Sequence, residues 1–199
     1  MQGRSMPIET ARLQLSPLSA ADWPLFYQLH TDPAVIAYCF DEPPQAEIEA
    51  KFAERLLPWT PGAAHWLCLV ITERSSGQPI GLTGFCQRQQ QAEVGFMLLP
   101  SVAGRGYATE SLQALLQYAK QQLGLQQFSA VVTAGNVASE QVLRKCGFQL
   151  QQVVPAAWQI GGKLYADRYF TMCSAQGKST EFSLLGLTAA CWTNETTGN

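Results

Sequence analysis

The sequence predicts an α/β fold built on one mixed sheet, on three observations. Ala92, Val94, Phe96 and Leu98 alternate with Glu93, Gly95 and Met97, the period of a strand, and the pattern ends at Pro100. Ala108, Leu112, Leu115, Leu116, Ala119 and Leu123 then fall at helical spacing on one face. Beyond that helix, residues 128–133 form a compact β-branched run suited to a buried strand. Strands and helices intermixed in this way pack as layers around one sheet. A chain of 199 residues, 47% hydrophobic, is long enough for one good core and short for two.

The other elements follow in order. Residues 10–18, with Leu13 and Leu15, read as a first strand. Ser19 is placed to cap a helix carrying Trp23, Leu25, Phe26 and Leu29. Thr31-Asp32-Pro33 breaks the chain and caps a short helix around residues 35–38. After a loop at 42–44, residues 45–57 are helical by the spacing of Ile48, Phe52 and Leu56, and stop at Pro58. Residues 65–71 and 80–86 read as a hairpin about the turn at 75–79, and the polar run 87–91 turns into the strand of 92–98. Ala134-Gly135-Asn136 ends the strand of 128–133, and residues 138–146 form a short helix closed by Gly147. Two strands, 149–154 and 164–171, are joined at Gly161-Gly162. These elements make one domain, 7–173. The tail, 174–199, is poor in charge and carries a small apolar cluster including Phe182, Leu185 and Trp192; it reads as disordered or weakly docked.

Composition narrows the function. Charged residues make up 14% and the net charge is −2, with no basic stripe, so nucleic acid is not expected as a partner. Six cysteines occur without a C-x-x-C pair, several inside apolar runs, and read as buried reduced thiols. The start M-Q-G-R-S-M has no apolar core, and no run of about 18 apolar residues offers a membrane span. A cytoplasmic protein, away from membranes, is expected. His30 and His65 read as structural.

The chemistry concentrates between the central strand and helix, at P-S-V-A-G-R-G-Y-A-T-E-S. A strand, a glycine turn and a helix aim the free N–H groups of a helix start at one spot, with the positive end of the helix dipole behind them. Glycine at 104 and 106 permits positive φ and lets a ligand approach the backbone without meeting a Cβ. The ligand to expect is a phosphate or pyrophosphate. No Gly-Lys-Ser/Thr follows, so this is not a nucleotide P-loop, and the third glycine of a dinucleotide fingerprint is missing.

Several segments in order resemble the GCN5-related N-acetyltransferases (GNAT), and within them the RimJ/RimL-like branch. They are T-A-R-L-Q-L-S-P-L with A-D-W and T-D-P-A-V, then A-E-V-G-F-M-L-L-P, G-R-G-Y-A-T-E-S, N-V-A-S-E-Q-V-L-R-K-C-G-F and D-R-Y-F. The resemblance implies a mixed, mostly antiparallel sheet of six to seven strands with helices on both faces. It implies acetyl-CoA as cosubstrate, no metal, and direct transfer to a primary amine. The acceptor is a protein N-terminus or a small molecule, and the enzyme a monomer or homodimer. By resemblance, the backbone of Phe96, Met97 and Leu98 holds the pantetheine, in a gap where strand 92–99 splays from strand 128–133. One N–H polarises the thioester carbonyl, a contact worth roughly 3–4 kcal/mol in such sites. Val102, Ala103, Gly104, Arg105, Gly106 and Tyr107 bind pyrophosphate through their N–H groups, with Arg105 as a charge partner and Ala108 opening the helix. Asn136 bridges cofactor and strand end. Glu93 is the general-base candidate and Ser139 a proton relay to the coenzyme thiolate.

This chain departs from the family pattern at three places. Ser101 stands where Gln or Arg is general, Ala103 where the branch often has an aromatic, and Leu143 where many members carry a tyrosine acid. The missing tyrosine leaves a second reading, a catalytically idle acyl-CoA-binding module. Acceptor choice is assigned to residues 20–57 and the hairpin of 149–171, whose aromatics (Trp23, Tyr38, Phe40, Trp158) come without the acidic clusters a polycation would need.

Overall fold

The chain enters the sheet through a tight turn. Ile8–Glu9 (β1) pairs antiparallel with Leu13–Pro17 (β2). The Thr10 N–H donates to the Leu13 carbonyl at 2.9 Å, and the Leu13 N–H donates to the Thr10 hydroxyl at 2.9 Å. The strand expected from residue 10 therefore starts only at Leu13, and the separate β1 brings the sheet to eight strands where six to seven were expected. Ser19 does cap, but over a 3₁₀ turn, Ala20–Asp22; its N–H and hydroxyl both donate to Asp22 Oδ2, at 2.8 and 2.6 Å. Helix α1 (Trp23–Thr31) follows with proline in its first turn, where no N–H is needed. Asp32 accepts from the Ala34 N–H at 2.9 Å and caps α2 (Pro33–Ile36), and α3 spans Gln45–Arg55.

Leu67–Glu73 (β3), Gln78–Arg88 (β4) and Gln91–Leu98 (β5) pair antiparallel in turn. A 3₁₀ turn, Pro100–Val102, and the glycine turn lead into α4 (Tyr107–Leu123), closed by Gly124 at φ 70°. Gln127–Thr133 (β6), α5 (Val137–Lys145), Gln149–Ile160 (β7) and Lys163–Cys173 (β8) complete the fold. The last hairpin is longer than expected. Pro155 does not end β7, because β7 is the sheet's edge strand, where a missing N–H is tolerated, and a bulge between Val154 and Trp158 absorbs it with Ala156 at φ 51°. The computed structural model describes residues 7–88 and 91–173, and the tail 174–199 lies outside them.

The sheet runs β1-β2-β3-β4-β5-β6-β8-β7, antiparallel except where β5 meets β6. Alternation along the strands gives it two apolar faces. Helices α1 and α3 bury Leu25, Phe26, Leu29, Ile48 and Phe52 against Val70, Leu82 and Met97 on one. Helix α4, with Leu143 of α5, buries Leu112, Leu115 and Leu116 against Phe85, Val94, Phe128 and Phe170 on the other. Phe26, Phe85, Phe128 and Phe170 are fully buried; burying a side chain of this kind stabilises by about 1.5–3 kcal/mol.

His30 is part of the first layer. It stacks on Phe26 with ring centroids 4.1 Å apart, its Nδ1 lies 2.7 Å from the Phe26 carbonyl, and burial brings its pKa down to about 4. Among the described residues, Cys39, Cys68, Cys86 and Cys146 are free thiols. Burial pushes Cys68 up to about 12 and Cys39 and Cys146 to about 11, which keeps all three protonated and unreactive at neutral pH. No helix among the described residues is long and apolar enough to cross a membrane.

Candidate active site

Among the described residues, the sheet opens at its parallel junction. Strands β5 and β6 pair over three rungs, Gln91, Ala92 and Glu93 with Gln127, Phe128 and Ser129, and then part. Past Glu93, β5 stays with β4 through Leu98, and β6 stays with β8 through Thr133. Each is held by its outer neighbour, so the cleft between them is wedged open by the sheet itself. Val94, Gly95 and Phe96 line one wall and residues 130–133 the other. Asn136, Ser139 and Leu143 close it from the α5 side, and Tyr38 and Cys39 from the other. Tyr38 reaches this place because Gly135 has no side chain; a Cβ there would lie 2.8 Å from the Tyr38 ring.

The expected site residues fall into three groups around the cleft. Phe96, Asn136 and Ser139 line it. Asn136 also caps α5, its Oδ1 accepting from the Ser139 N–H at 3.1 Å, so cap and cleft wall are one residue. Met97 lies in the α1–α3 layer, and Leu98 packs on the α4 side. Glu93 sits on the last paired rung with its side chain on the α1–α3 face, 4% exposed.

The glycine turn forms the third group. The Val102 and Ala103 N–H groups donate to Leu99 and Pro100 within the 3₁₀ turn, at 3.1 and 3.0 Å, so they are spent before the glycines begin. Gly104 and Gly106 take φ of 76° and 79°, and a Cβ at Gly104 would meet no atom within 4 Å. Open space in front of a left-handed glycine, followed by the unpaired first-turn amides of α4 at Tyr107 and Ala108, is a cradle that fits a phosphate group.

What anchors that cradle was not legible in the sequence. Arg12, just ahead of β2, donates from Nε to Glu110 Oε2 at 2.7 Å and from Nη1 to the Arg105 carbonyl at 3.0 Å, with its guanidinium 4.6 Å above the Tyr107 ring. Thr10 donates to Glu110 Oε1 at 2.5 Å. The Tyr107 hydroxyl donates to Glu73, and Arg105 stands 3.9 Å from the same carboxylate. Hydrogen bonds from Ser76 and Tyr107 hold the Glu73 carboxyl below its ordinary range. The first-turn glutamate of α4 is thus tied back to the β1–β2 turn, which fixes the helix start against the sheet.

A second tie holds α5. Arg168 of β8 donates from Nη1 to both Glu140 oxygens at 2.8 Å, next to the cleft residue Ser139. Glu140→Ala is expected to cost about 1.5–3 kcal/mol, as for hydrogen bonds to charged groups. Thermal unfolding should show a Tm several degrees lower, and an unchanged Tm would mean the pair is idle.

This geometry has known counterparts. The model of the acetyltransferase (GNAT) domain matches residues 12–149. The chain belongs to the GNAT family, a class of acyl-CoA-dependent N-acetyltransferases. An uncharacterized N-acetyltransferase of Bacillus subtilis, YoaA, is 34% identical over 105 residues, covering 51% of this chain and 59% of that protein. RimL, a ribosomal α-N-protein acetyltransferase solved in complex with coenzyme A, superposes with a TM-score of 0.73 at 20% identity, over 84% of this chain and 98% of its own. Spermidine N-acetyltransferase from Vibrio cholerae, solved with CoA and spermine, gives 0.72 at 19%, over 82% and 96%.

Proposed function

We propose that this enzyme transfers an acetyl group from acetyl-CoA to a primary amine, by direct attack within a ternary complex. The observation that carries the proposal is the join of two features: a cleft opened by the parting of β5 and β6, and a phosphate cradle at the end of the same β5 strand. Acetyl-CoA supplies the acyl group activated as a thioester. The N–H groups from Gly104 to Ala108 hold its pyrophosphate, Arg105 swings from Glu73 to add charge, and the β5 backbone from Phe96 to Leu98 binds the pantetheine arm along its unpaired edge. Asn136 fixes the arm at the α5 side. Glu93, on the face away from α4, takes the proton from the amine, and Ser139 hands one to the departing thiolate. The acceptor is a protein N-terminus or a small amine, and the four free thiols suit a cytoplasmic setting.

One observation favours the idle acyl-CoA binder instead. Leu143, in the position of the family's acid tyrosine, is fully buried in the core and donates no proton. Thiol release from acetyl-CoA, measured against a panel of small amines and N-terminal peptides, separates the two. An active enzyme releases CoA faster with some amines than with water; an idle binder gives the water rate throughout.

A further inference from the structure

On the face covered by α1 and α3, the strands beside the cleft present an acidic floor. Side chains alternate along strands, so Glu93 of β5, Ser129 and Thr133 of β6, and Asp167 and Tyr169 of β8 share that face. Asp167 is the cross-strand partner of Thr133, and Tyr169 of Val131; Thr133 and Val131 both line the cleft. Above them, the roof at residues 38–41 is fastened to the β7–β8 hairpin. The Trp158 indole donates to the Cys39 carbonyl at 3.0 Å, the Gly161 N–H donates to Asp41 at 2.7 Å, and Tyr38 meets Tyr165 edge-on at 6.3 Å.

The floor is polar where packing alone asks for apolar groups. Asp167 and Ser129 are each 1% exposed, and Asp167 Oδ1 and Ser129 Oγ have no hydrogen-bond partner. A buried carboxylate oxygen without a partner costs stability, and an apolar side chain in its place is commonly neutral or better. Burial raises the Asp167 pKa; burial and then the charges of Asp167 and Glu93 raise that of Tyr169, whose hydroxyl senses both carboxylates. An ammonium group beside Asp167 relieves the cost at that carboxylate. No three His, Cys, Asp or Glu side chains among the described residues converge as metal ligands, which leaves an ammonium group as the cation whose chemistry fits.

We propose that Asp167 is the anion that receives the ammonium group of the acceptor, which enters beneath Tyr38 and Cys39 as a small cation and is passed toward Glu93. The word acceptor rests on the acetyl-transfer reading; the cation site does not. The substrate class that follows is a compact protonated amine, with its body against the aromatic roof, rather than an extended polycation.

The test uses the CoA-saturated protein and two pairs of probes, benzylamine with benzyl alcohol and n-butylamine with n-butanol, titrated calorimetrically. Wild type is expected to bind each amine at least about tenfold more tightly than its alcohol, and Asp167→Asn to lose that preference while CoA affinity holds. The variant should also melt no lower than wild type, because it removes a buried charge. A wild type that does not prefer the amines, or an Asp167→Asn variant that keeps the preference, overturns the proposal. A lowered Tm with the preference intact assigns Asp167 a structural role and overturns it equally. Should the preference depend on Asp167 while no amine speeds CoA release, the cation site stands and the acetyl-transfer reading falls.

Discussion

Glu93→Gln is expected to lower kcat by about 10²–10⁴-fold at neutral pH, the usual cost of losing a general base. Glutamine keeps the shape and hydrogen-bonding reach of a side chain that is 4% exposed, so the fold should survive the change. The loss should appear in kcat with CoA affinity little altered, since the phosphate cradle lies beyond the far end of β5. It should also shrink as pH approaches the amine's own pKa. An α-amine with a pKa near 8 is roughly a tenth neutral at pH 7, whereas a lysine near 10.4 is neutral about once in 2,500. The size of the Glu93→Gln deficit therefore reports the acceptor as well as the base. Activity within about threefold of wild type would show that solvent takes the proton, as in reactions that need no general base. Glu93 would then be a structural carboxylate on the sheet floor.

Gly104→Val with Gly106→Val is expected to abolish the rise in Tm that CoA gives the wild-type protein. Ligand at a hundredfold over its Kd stabilises by about 2.7 kcal/mol, an effect easily read in a melting curve. Both glycines adopt left-handed φ, where a β-branched residue is strained, and the space before Gly104 is the space a phosphate needs. Gly104→Ala alone gives a gentler form of the test if the double variant melts low. Undiminished CoA binding by a folded variant would remove the pyrophosphate from this turn.

The strand, glycine turn and helix at the centre were legible because each is a local pattern: period two, positive-φ residues, then period 3.6. The cleft walls and Asn136 were named through family resemblance, and the structure adds that Asn136 caps α5. Other features depend on contacts between distant segments, and a local pattern does not show them. The Thr10–Leu13 turn that splits the first strand reads, by alternation alone, as continuous β structure. Arg12 and Glu110 are an ordinary surface pair until the fold brings residues 98 positions apart together. The strand read over 149–154 runs on through Pro155 to Ile160, because an edge strand accepts proline with a bulge. The missing acidic clusters in the acceptor region were a one-dimensional absence. The sheet register does not assemble such a cluster, but it sets two separate carboxylates, Glu93 and Asp167 from different strands, on one face.

Acetyl transfer is tested most directly by a single-turnover reaction with acetyl-CoA and an accepted amine, followed by mass spectrometry of both amine and protein. The acetyl group is expected on the amine at the rate at which CoA is released, with no acetylated protein at any time point. An acetylated Cys39, Cys146 or Ser139 that forms and decays on the path to product would contradict direct transfer. CoA release equal with and without every amine would contradict the enzyme itself.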